Sequence, residues 1–250
     1  IVVFVLMAAT VFLPKVRAGN MDVPGLSDTV SIISLNAMAK KLLEKENFDS
    51  SLIYSTRAVN LADSLLRLTT VKSNQTLLNR CKILKAESLT NVAVGLILSK
   101  PYFALDTLQS ALKLAKETGD KNMEALINAA FGDTFSSLSK DKKALDYYLR
   151  SVALLRETGN QSALAEQLTN AGISQRILGN YGDAMEYLME SLKISRSIGD
   201  SHNTIEALLA IGFTYAFVER WDDALKLQQQ ALEIYRKQND SSGIARIYND

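Results

Sequence analysis

The apolar positions of the chain follow the period of an amphipathic helix, first over residues 161–179 and again over residues 182–199. The first apolar face is formed by residues three or four positions apart, namely Leu164, Leu168, Ala171, Gln175 and Leu178. The second face has a similar spacing and consists of Ala184, Leu188, Ser191, Leu192 and Ser195. The pattern therefore predicts two amphipathic helices joined by a short turn.

This two-helix pattern recurs along the chain at a constant interval of 40 residues. The interval separates the alanines Ala104, Ala144, Ala184 and Ala224. It also separates the glycines that stand 12 positions before the last three alanines, Gly132, Gly172 and Gly212. Small residues follow seven positions after each alanine, namely Ala111, Ser151, Ser191 and Ala231. Several positions that keep one interval are typical of a repeat protein built from helical hairpins.

Small side chains at fixed places predict that the two helices of each unit approach each other closely. Gly172 lies on the first helix of its unit and Ala184 on the second, so a close contact of antiparallel helices is expected between them. We expect the repeat-packing residues to be Gly132, Gly172, Gly212, Ala104, Ala144, Ala184 and Ala224.

The turn residues predict where the helices begin and end. Gly199 suits the left-handed position after a helix, and Asp200 suits the N-cap of the next helix. At the other turn of each unit, Asp141, Asp183 and Asp222 are expected to cap the second helices. Bulky residues at that turn are expected to fill the gap between the helices, namely Tyr102, Tyr181 and Trp221.

Together these glycines, alanines and bulky residues resemble the consensus of tetratricopeptide repeats. The resemblance covers residues 74–250, and the 40-residue period is similar to the longer-helix variant of bacterial signalling proteins. Val92 departs from the consensus where a glycine is expected, and Gln175 departs where an aromatic residue is common. The resemblance implies an all-α, right-handed α-solenoid of antiparallel helix-turn-helix units, with a concave face lined by the first helix of each unit.

An irregular unit is predicted before the regular array. The segment that begins at Phe48 resembles the one that begins at Tyr181, but Ser51 and Ala104 stand 53 residues apart, which is more than one period. We therefore expect an insertion or a lengthened helix between residues 66 and 75. The chain divides into residues 1–18, an N-terminal helical capping unit over residues 19–73, and a tandem array over residues 74–250 with a truncated last repeat.

The first 13 residues are apolar, with one hydroxyl and no charge. As a helix they would rise only about 20 Å, which is short of a hydrocarbon core of about 30 Å. Val16 and Ala18 supply the small residues that precede a signal-peptide cleavage site, here before Gly19. Residues 1–18 are therefore predicted to be a signal peptide, or alternatively an uncleaved signal anchor. Either reading predicts an exported chain, in the periplasm or on the extracytoplasmic face of a membrane.

Charge and composition exclude several classes of function. The chain has 28 Lys and Arg against 27 Asp and Glu, so it has no excess of positive charge for binding nucleic acid. One cysteine, Cys81, and one histidine, His202, are too few for a Cys/His zinc site. No phosphate-binding loop, nucleophile elbow or zinc-protease motif occurs. We therefore expect a binding protein that is not an enzyme and has no cofactor and no metal site.

The concave face implied by the resemblance is the predicted site for a protein or peptide ligand. Nine residues on the first helices are predicted to line this partner-binding groove, namely Asp133, Ser136, Glu166, Thr169, Ile173, Arg176, Glu206, Leu209 and Phe213. For any one of them, plain exposure to solvent is the alternative. Arg176→Glu and Phe213→Asp are predicted to weaken ligand capture without melting the helices.

The leading hypothesis is that the chain is the extracytoplasmic sensing region of a larger bacterial signalling protein. The resemblance implies a sensor histidine kinase or a similar output module after Asp250, which would supply any catalysis. The alternatives are a free-standing exported scaffold for protein assembly and a structural array that self-associates as a homo-oligomer. A membrane is expected to be contacted only through residues 1–18 or through a segment beyond Asp250.

Overall fold

A computed structural model of the protein describes residues 26–249, which form twelve α-helices and no strand. The helices are α1 (Leu26–Leu43), α2 (Phe48–Arg67), α3 (Thr69–Lys72), α4 (Gln75–Leu96), α5 (Pro101–Thr118), α6 (Lys121–Ser137), α7 (Asp141–Thr158), α8 (Gln161–Ile177), α9 (Tyr181–Ser197), α10 (Ser201–Phe217), α11 (Trp221–Lys237) and α12 (Ser241–Asn249). The predicted signal peptide or anchor over residues 1–18 lies outside the described residues. None of the described helices is long and apolar enough to cross a membrane.

From α4 onward the helices form consecutive antiparallel hairpins. The pairs α4/α5, α6/α7, α8/α9 and α10/α11 are in direct contact, and each pair packs on the next. Two of the first helices also contact the first helix of the next pair, α4 with α6 and α8 with α10. Stacking of this kind produces a solenoid in which the first helices line one face.

The two helices of a hairpin meet where the first helix carries glycine. A Cβ atom added to Gly172 would lie 2.6 Å from Leu188 Cγ and 3.1 Å from the carbonyl oxygen of Ala184. At Gly132, an added Cβ would meet the ring of Tyr148. At Gly212 the nearest atoms are farther away, at 3.5 Å and 3.7 Å, so this contact is looser. The close approach predicted for Gly172 and Ala184 is therefore present in the structure.

Two of the small residues of the second helices also form hydrogen bonds to the first helices. The Ser151 hydroxyl donates a hydrogen bond of 2.8 Å to the carbonyl oxygen of Ala125, and the Ser191 hydroxyl donates one of 2.6 Å to that of Ala165. Both serines are fully buried. Each bond ties the second helix of a pair to the backbone of its first helix, which holds the hairpin in one register.

The N-caps of the first helices were predicted correctly. Asp120 and Asp200 each accept a hydrogen bond from a backbone N–H three residues later, and Asn160 does the same. The glycines that close the preceding helices have positive φ angles, as predicted for Gly199, whose φ is 69°.

The aspartate caps predicted for the second helices were wrong. These helices begin at Asp141, Tyr181 and Trp221, so Asp141, Asp183 and Asp222 lie inside the first turn. The N-caps are Lys140, Asn180 and Arg220, and none of them makes a side-chain capping bond. The Asp183 carboxylate instead accepts a 3.3 Å hydrogen bond from the buried side chain of Gln175.

The bulky residues at these turns were predicted to fill the gap between helices, and this was wrong for two of them. Tyr102 and Trp221 are exposed, at 63% and 64% of their surface. Tyr181 is partly covered because its ring stacks on Phe217 of the next hairpin, with the ring centroids 6.3 Å apart. The stacking of Tyr181 on Phe217 therefore joins two neighbouring hairpins.

The N-terminal helices explain why Ser51 and Ala104 are more than one period apart. Helix α2 has 20 residues and α4 has 22, and the four-residue helix α3 lies between them. Helix α1 packs on both α2 and α4. The buried Asn36 of α1 donates to the carbonyl oxygen of Leu84 and accepts from the Ser88 hydroxyl on α4, at 3.3 Å and 2.8 Å.

Candidate functional site

The concave face of the array is formed by α6, α8 and α10. The groove residues predicted from the sequence differ in their exposure to solvent. Asp133 and Glu166 are exposed. A further five are partly buried, namely Ser136, Ile173, Arg176, Glu206 and Phe213. The groove therefore presents carboxylates, one arginine and apolar side chains along one continuous set of helices.

Two of the predicted groove residues are not accessible. Thr169 and Leu209 are buried, at 5% and 3% exposure. The Thr169 hydroxyl lies 2.8 Å from the Ser191 hydroxyl, so this side chain faces the second helix of its hairpin and not the groove. The close approach at Gly172 is the physical reason, because it draws the neighbouring positions of α8 into the contact with α9.

Ile173 and Phe213 belong to the groove wall and to the core at once. Both pack against the buried cluster that contains Leu188, Leu208 and Tyr235. Phe213→Asp would place a carboxylate against this cluster and would destabilise the fold, so it does not separate binding from stability. Changes at more accessible groove residues are better tests.

A carboxylate and a tyrosine are coupled in the middle of the concave face. The Tyr148 hydroxyl donates a 2.8 Å hydrogen bond to Asp133, and its ring passes across α6 at Gly132. Burial raises the pKa of Asp133 to about 6. The charge of Glu166 also raises it, and the hydrogen bond from Tyr148 lowers it. Asp133 is nevertheless open to solvent by area. A carboxylate on the floor of a concave surface can be exposed and still have a raised pKa, because water reaches it from one side only.

Tyr148 was not among the predicted site residues. The sequence could have indicated this role, since Tyr148 occupies the place that Leu108 and Leu188 hold in the neighbouring second helices. A hydroxyl at a position that is aliphatic in both neighbouring units needs a partner when it is buried. Asp133 supplies that partner on the concave side.

The charges of three residues act on Glu166. Burial raises its pKa, the nearby charges of His202 and Lys40 lower it, and that of Asp200 raises it. Lys40 belongs to α1, at the start of the described chain, and it is exposed. A charge of the N-terminal unit therefore acts on Glu166 in the middle of the array, although Lys40 was not among the predicted site residues.

The raised pKa of Asp133 gives a testable dependence of stability on pH. A carboxyl with a pKa above its unfolded value stabilises the fold while it is protonated, and this contribution is lost as the pH rises through about 6. We therefore expect Asp133→Asn to be more stable than the wild type at about pH 7 and equal to it at about pH 3, where the unfolded carboxyl also binds its proton.

Urea denaturation of both chains at the two pH values measures this difference. The asparagine oxygen still accepts the Tyr148 hydroxyl, so the variant removes only the charge. Asp106→Asn, at an exposed position on α5, is the matched control and is expected to show no such dependence. Equal stability of wild type and Asp133→Asn at both pH values would contradict this account of the groove.

The positively charged Arg176 lies on α8, one hairpin after the helix that carries Asp133. Its guanidinium stands over the ring of Phe217, 5.1 Å from the centroid. Burial lowers the pKa of Arg176, and Tyr181 opposes this effect. Ile177 and Phe217 beside it are exposed, at 51% and 60%, and both were absent from the predicted set.

Glu206, at the far end of the predicted set, is already paired. Arg246 of α12 binds its carboxylate through two hydrogen bonds of 2.8 Å and 3.1 Å. This pair links α10 to the last described helix and occupies the Glu206 carboxylate. Among the predicted acidic residues, Asp133 and Glu166 are therefore the ones placed to meet a ligand.

Cys81 was expected to be a small apolar residue on a helix face. It is fully buried in the cluster with Ile32 and Leu65, and burial raises the pKa of its thiol. This environment disfavours the reactive thiolate.

Comparison with known proteins identifies the repeat. Residues 164–237 match a family model described as tetratricopeptide repeat. No curated protein matches the chain.

Solved structures match over most of the chain. A Rap protein complexed with competence and sporulation factor has a TM-score of 0.71 and 15% identity, covering 91% of this chain and 59% of its own. Aspartyl phosphate phosphatase F from Bacillus subtilis has a TM-score of 0.68 and 14% identity, covering 90% and 55%. The nearly identical TPR-like repeats of a kinesin light chain from Podosopora anserina have a TM-score of 0.61 and 12% identity, covering 86% and 98%.

These matches confirm the predicted all-α, right-handed α-solenoid. At such low identities the likeness establishes the fold alone. The chain spans a little over half the length of the first two structures, at 59% and 55%.

Proposed function

We infer from the tetratricopeptide-repeat match over residues 164–237 that this chain is a non-catalytic scaffold that binds a protein or peptide along its concave face. Repeats of this family are generally interaction modules without catalytic activity. The observation that carries the proposal is the concave face itself, where Asp133, Glu166, Arg176 and Phe217 present carboxylates, a guanidinium and an aromatic ring on three neighbouring first helices.

The chemistry of this face suits an extended or helical segment of a partner. Aromatic and arginine side chains are enriched among the residues that dominate binding energy at protein interfaces. Ile173 and Phe213 are anchored in the core, so they can offer apolar surface without first losing conformational freedom. The carboxylates and Arg176 would then set the orientation of the ligand.

A matched pair of charge reversals tests where the ligand binds. The chain is screened against a random library of synthetic peptides, and the affinity of the best binders is then measured for Glu166→Lys and Glu186→Lys. Both glutamates are exposed, but Glu166 lies on α8 and Glu186 on α9. We expect Glu166→Lys to change affinity by about tenfold or more and Glu186→Lys to leave it unchanged. The reverse ranking, or no binding by any peptide, would contradict the proposal.

We further propose that the chain acts outside the cytoplasm as the sensing region of a larger bacterial signalling protein. The apolar residues 1–13 and the small Val16 and Ala18 support export. A reporter enzyme that is active only after export, fused after Asp250, tests this. We expect activity in a bacterial host with residues 1–18 present and loss of activity when they are deleted. Equal activity of both fusions would contradict export by this segment.

The free-standing scaffold remains the alternative within the same binding role. The sequence encoded after Asp250 separates the two. An apolar stretch of about 20 residues, long enough to span a membrane, followed by a kinase domain would support the signalling protein. A stop codon after one more amphipathic helix would support the free-standing scaffold.

A further inference from the structure

The turns inside the hairpins form one edge of the array, and this edge exposes large apolar side chains. We call it the turn edge, and it consists of residues 97–103, 138–143, 178–181 and 218–225. Six of its apolar side chains have 40–76% of their surface exposed, namely Leu98, Tyr102, Phe103, Val218, Trp221 and Leu225. The turns at the opposite edge are polar, with a glycine followed by Asp or Asn, as at Gly199 and Asp200. Exposed apolar side chains gathered at one edge are typical of an interaction surface.

Two of these side chains break the repeat. Tyr102 and Phe103 stand at the places that Lys142 and Lys143 occupy one period later. All four side chains are exposed, so these places accept charged residues without harm to the helix packing. The packing of the hairpins therefore does not explain why the first of them has aromatic residues there.

Lysines surround the apolar residues at one end of the turn edge, over α4–α7, which we call the basic end. Its exposed lysines are Lys100, Lys140, Lys142 and Lys143, with Asp141 among them. The Lys140 ammonium stands 5.4 Å from the centroid of the Tyr102 ring, which joins the first two hairpins into one patch. In the part of the chain that the structure describes, none of the four lysines is in an ion pair.

Carboxylates surround the apolar residues at the other end of the turn edge, residues 218–225, which we call the acidic end. Arg220 and Lys226 both pair with Asp223. This leaves the exposed Glu219 and Asp222 without a cation among the described residues. The acidic end therefore has apolar side chains beside free carboxylates, and the basic end has apolar side chains beside free ammonium groups.

The two ends complement each other but lie on different hairpins of the chain, α4–α7 and α10/α11. A second copy of the chain supplies the missing partner for each end. If two copies lie antiparallel, edge to edge, the basic end of one faces the acidic end of the other. A twofold axis makes both contacts in the same complex, so association closes at two chains.

From this complementarity we propose that the turn edge is the interface of a homodimer, in which the basic end of each chain binds the acidic end of its partner. Tyr102, Phe103 and Trp221 are about 60% exposed and together present roughly 300–450 Å². That is about half of the roughly 800 Å² that each partner buries in a stable interface, and the other apolar and charged side chains of the edge add to it. The concave face stays open, so the dimer does not depend on the proposed function.

The mass and the tryptophan emission of the wild-type chain test the proposal together. Analytical ultracentrifugation should show the mass of two chains as the concentration rises. Trp221 is the only tryptophan, and its emission should move to shorter wavelength over the same concentration range. A mass of one chain at every concentration overturns the proposal. A mass that keeps rising beyond two chains overturns the twofold arrangement, and a dimer without a change in Trp221 emission overturns the assigned interface.

Charge reversals test the pairing of the two ends. Lys142→Glu and Asp222→Lys should each weaken the dimer about tenfold or more, because like charges then face each other at both contacts. An equimolar mixture of the two variants should dimerise as tightly as the wild type, because each end again meets the opposite charge. Lys237→Glu is the control, since Lys237 is exposed at the far end of α11, about 24 Å along the helix. A mixture that dimerises no better than the separate variants overturns the arrangement.

A change of one exposed apolar side chain tests the aromatic contact. Phe103→Gln should weaken the dimer about tenfold, the scale for the loss of an apolar anchor at an interface. Met189→Gln is the matched control, because Met189 is similarly exposed, at 51%, but lies in the middle of α9. Equal effects of the two substitutions on the dimer overturn the proposal.

The outcomes separate the dimer from the proposed function. Circular dichroism verifies that each variant is folded, and the wild-type mass and Trp221 emission decide the matter even if a variant fails to fold. Peptide affinity should be unchanged in Lys142→Glu, because the turn edge is not part of the groove. A chain that binds peptide but stays monomeric overturns the dimer alone.

Discussion

Leu188→Ala is expected to lower the free energy of unfolding by about 2–5 kcal/mol, the range for large-to-small changes at fully buried aliphatic positions. Leu188 has no exposed surface and packs beside Gly172, Leu192 and Leu208. Shortening it removes its contacts with α8 and with the next hairpin and leaves a cavity. Urea denaturation followed by circular dichroism measures the loss.

Leu225→Ala is the control for this change, because Leu225 also lies on a second helix but is 55% exposed. We expect its effect to stay within about 0.5 kcal/mol, as for most surface substitutions. If the two alanine variants lost equal stability, the assignment of Leu188 to the core between hairpins would be incorrect.

Gly172→Ala is expected to destabilise the chain by about 1–2 kcal/mol, although alanine is the better helix former by about 1 kcal/mol. The new methyl group would lie 2.6 Å and 2.7 Å from Leu188 Cγ and Cδ2, and 3.1 Å from the Ala184 carbonyl oxygen. The carbonyl belongs to the backbone of α9 and cannot turn aside, so the two helices must separate.

The same substitution at Gly212 should have the opposite sign. An added Cβ there makes ordinary contacts at 3.5 Å and 3.7 Å, so only the gain in helix propensity remains. We expect Gly212→Ala to be neutral or to stabilise the chain by up to about 1 kcal/mol. The urea denaturation midpoints of the two variants give the comparison. If both variants were destabilised to a similar extent, the helices would pack equally closely at Gly172 and Gly212, and the account would be contradicted.

The hairpin and its packing were predictable because they depend on side-chain size and on local turns. Gly172, Ala184 and the N-cap Asp200 need only the period of the sequence to be recognised, and the structure places them as expected. The start of the second helix was not predictable in the same way, and the capping role expected for Asp183 was wrong. The helix begins two residues earlier, at Tyr181, and Asp183 contacts Gln175 instead. A shift of two residues changes the role of a side chain without changing the pattern.

The groove was predicted less well, because accessibility depends on how neighbouring hairpins stack. Thr169 shares its helix face with residues that line the groove, yet the close contact at Gly172 turns it toward Ser191. Phe217 lies four residues after the predicted Phe213, at the last position of α10, and is 60% exposed. The sequence of one hairpin contains no information on the angle at which the next one packs.

Variation between units gives the concave face its particular chemistry. Tyr148 replaces an aliphatic residue and fixes Asp133, and Phe217 provides a surface for Arg176. The repeated residues therefore determine the scaffold, and the residues that break the repeat determine the chemistry of the concave face.

A double-mutant cycle of Gly172→Ala and Leu188→Ala tests most directly whether the paired helices meet where the account places them. With Leu188 shortened, the methyl group that Gly172→Ala adds loses its two closest contacts and keeps only the 3.1 Å contact with the Ala184 carbonyl oxygen, so this substitution should destabilise the chain less in that background. The expected coupling between the two sites is about 1–3 kcal/mol, well above the scatter for independent positions. If Gly172→Ala costs the same free energy of unfolding in both backgrounds, the two residues are not in contact, and neither the hairpin packing nor the groove built on it is as described.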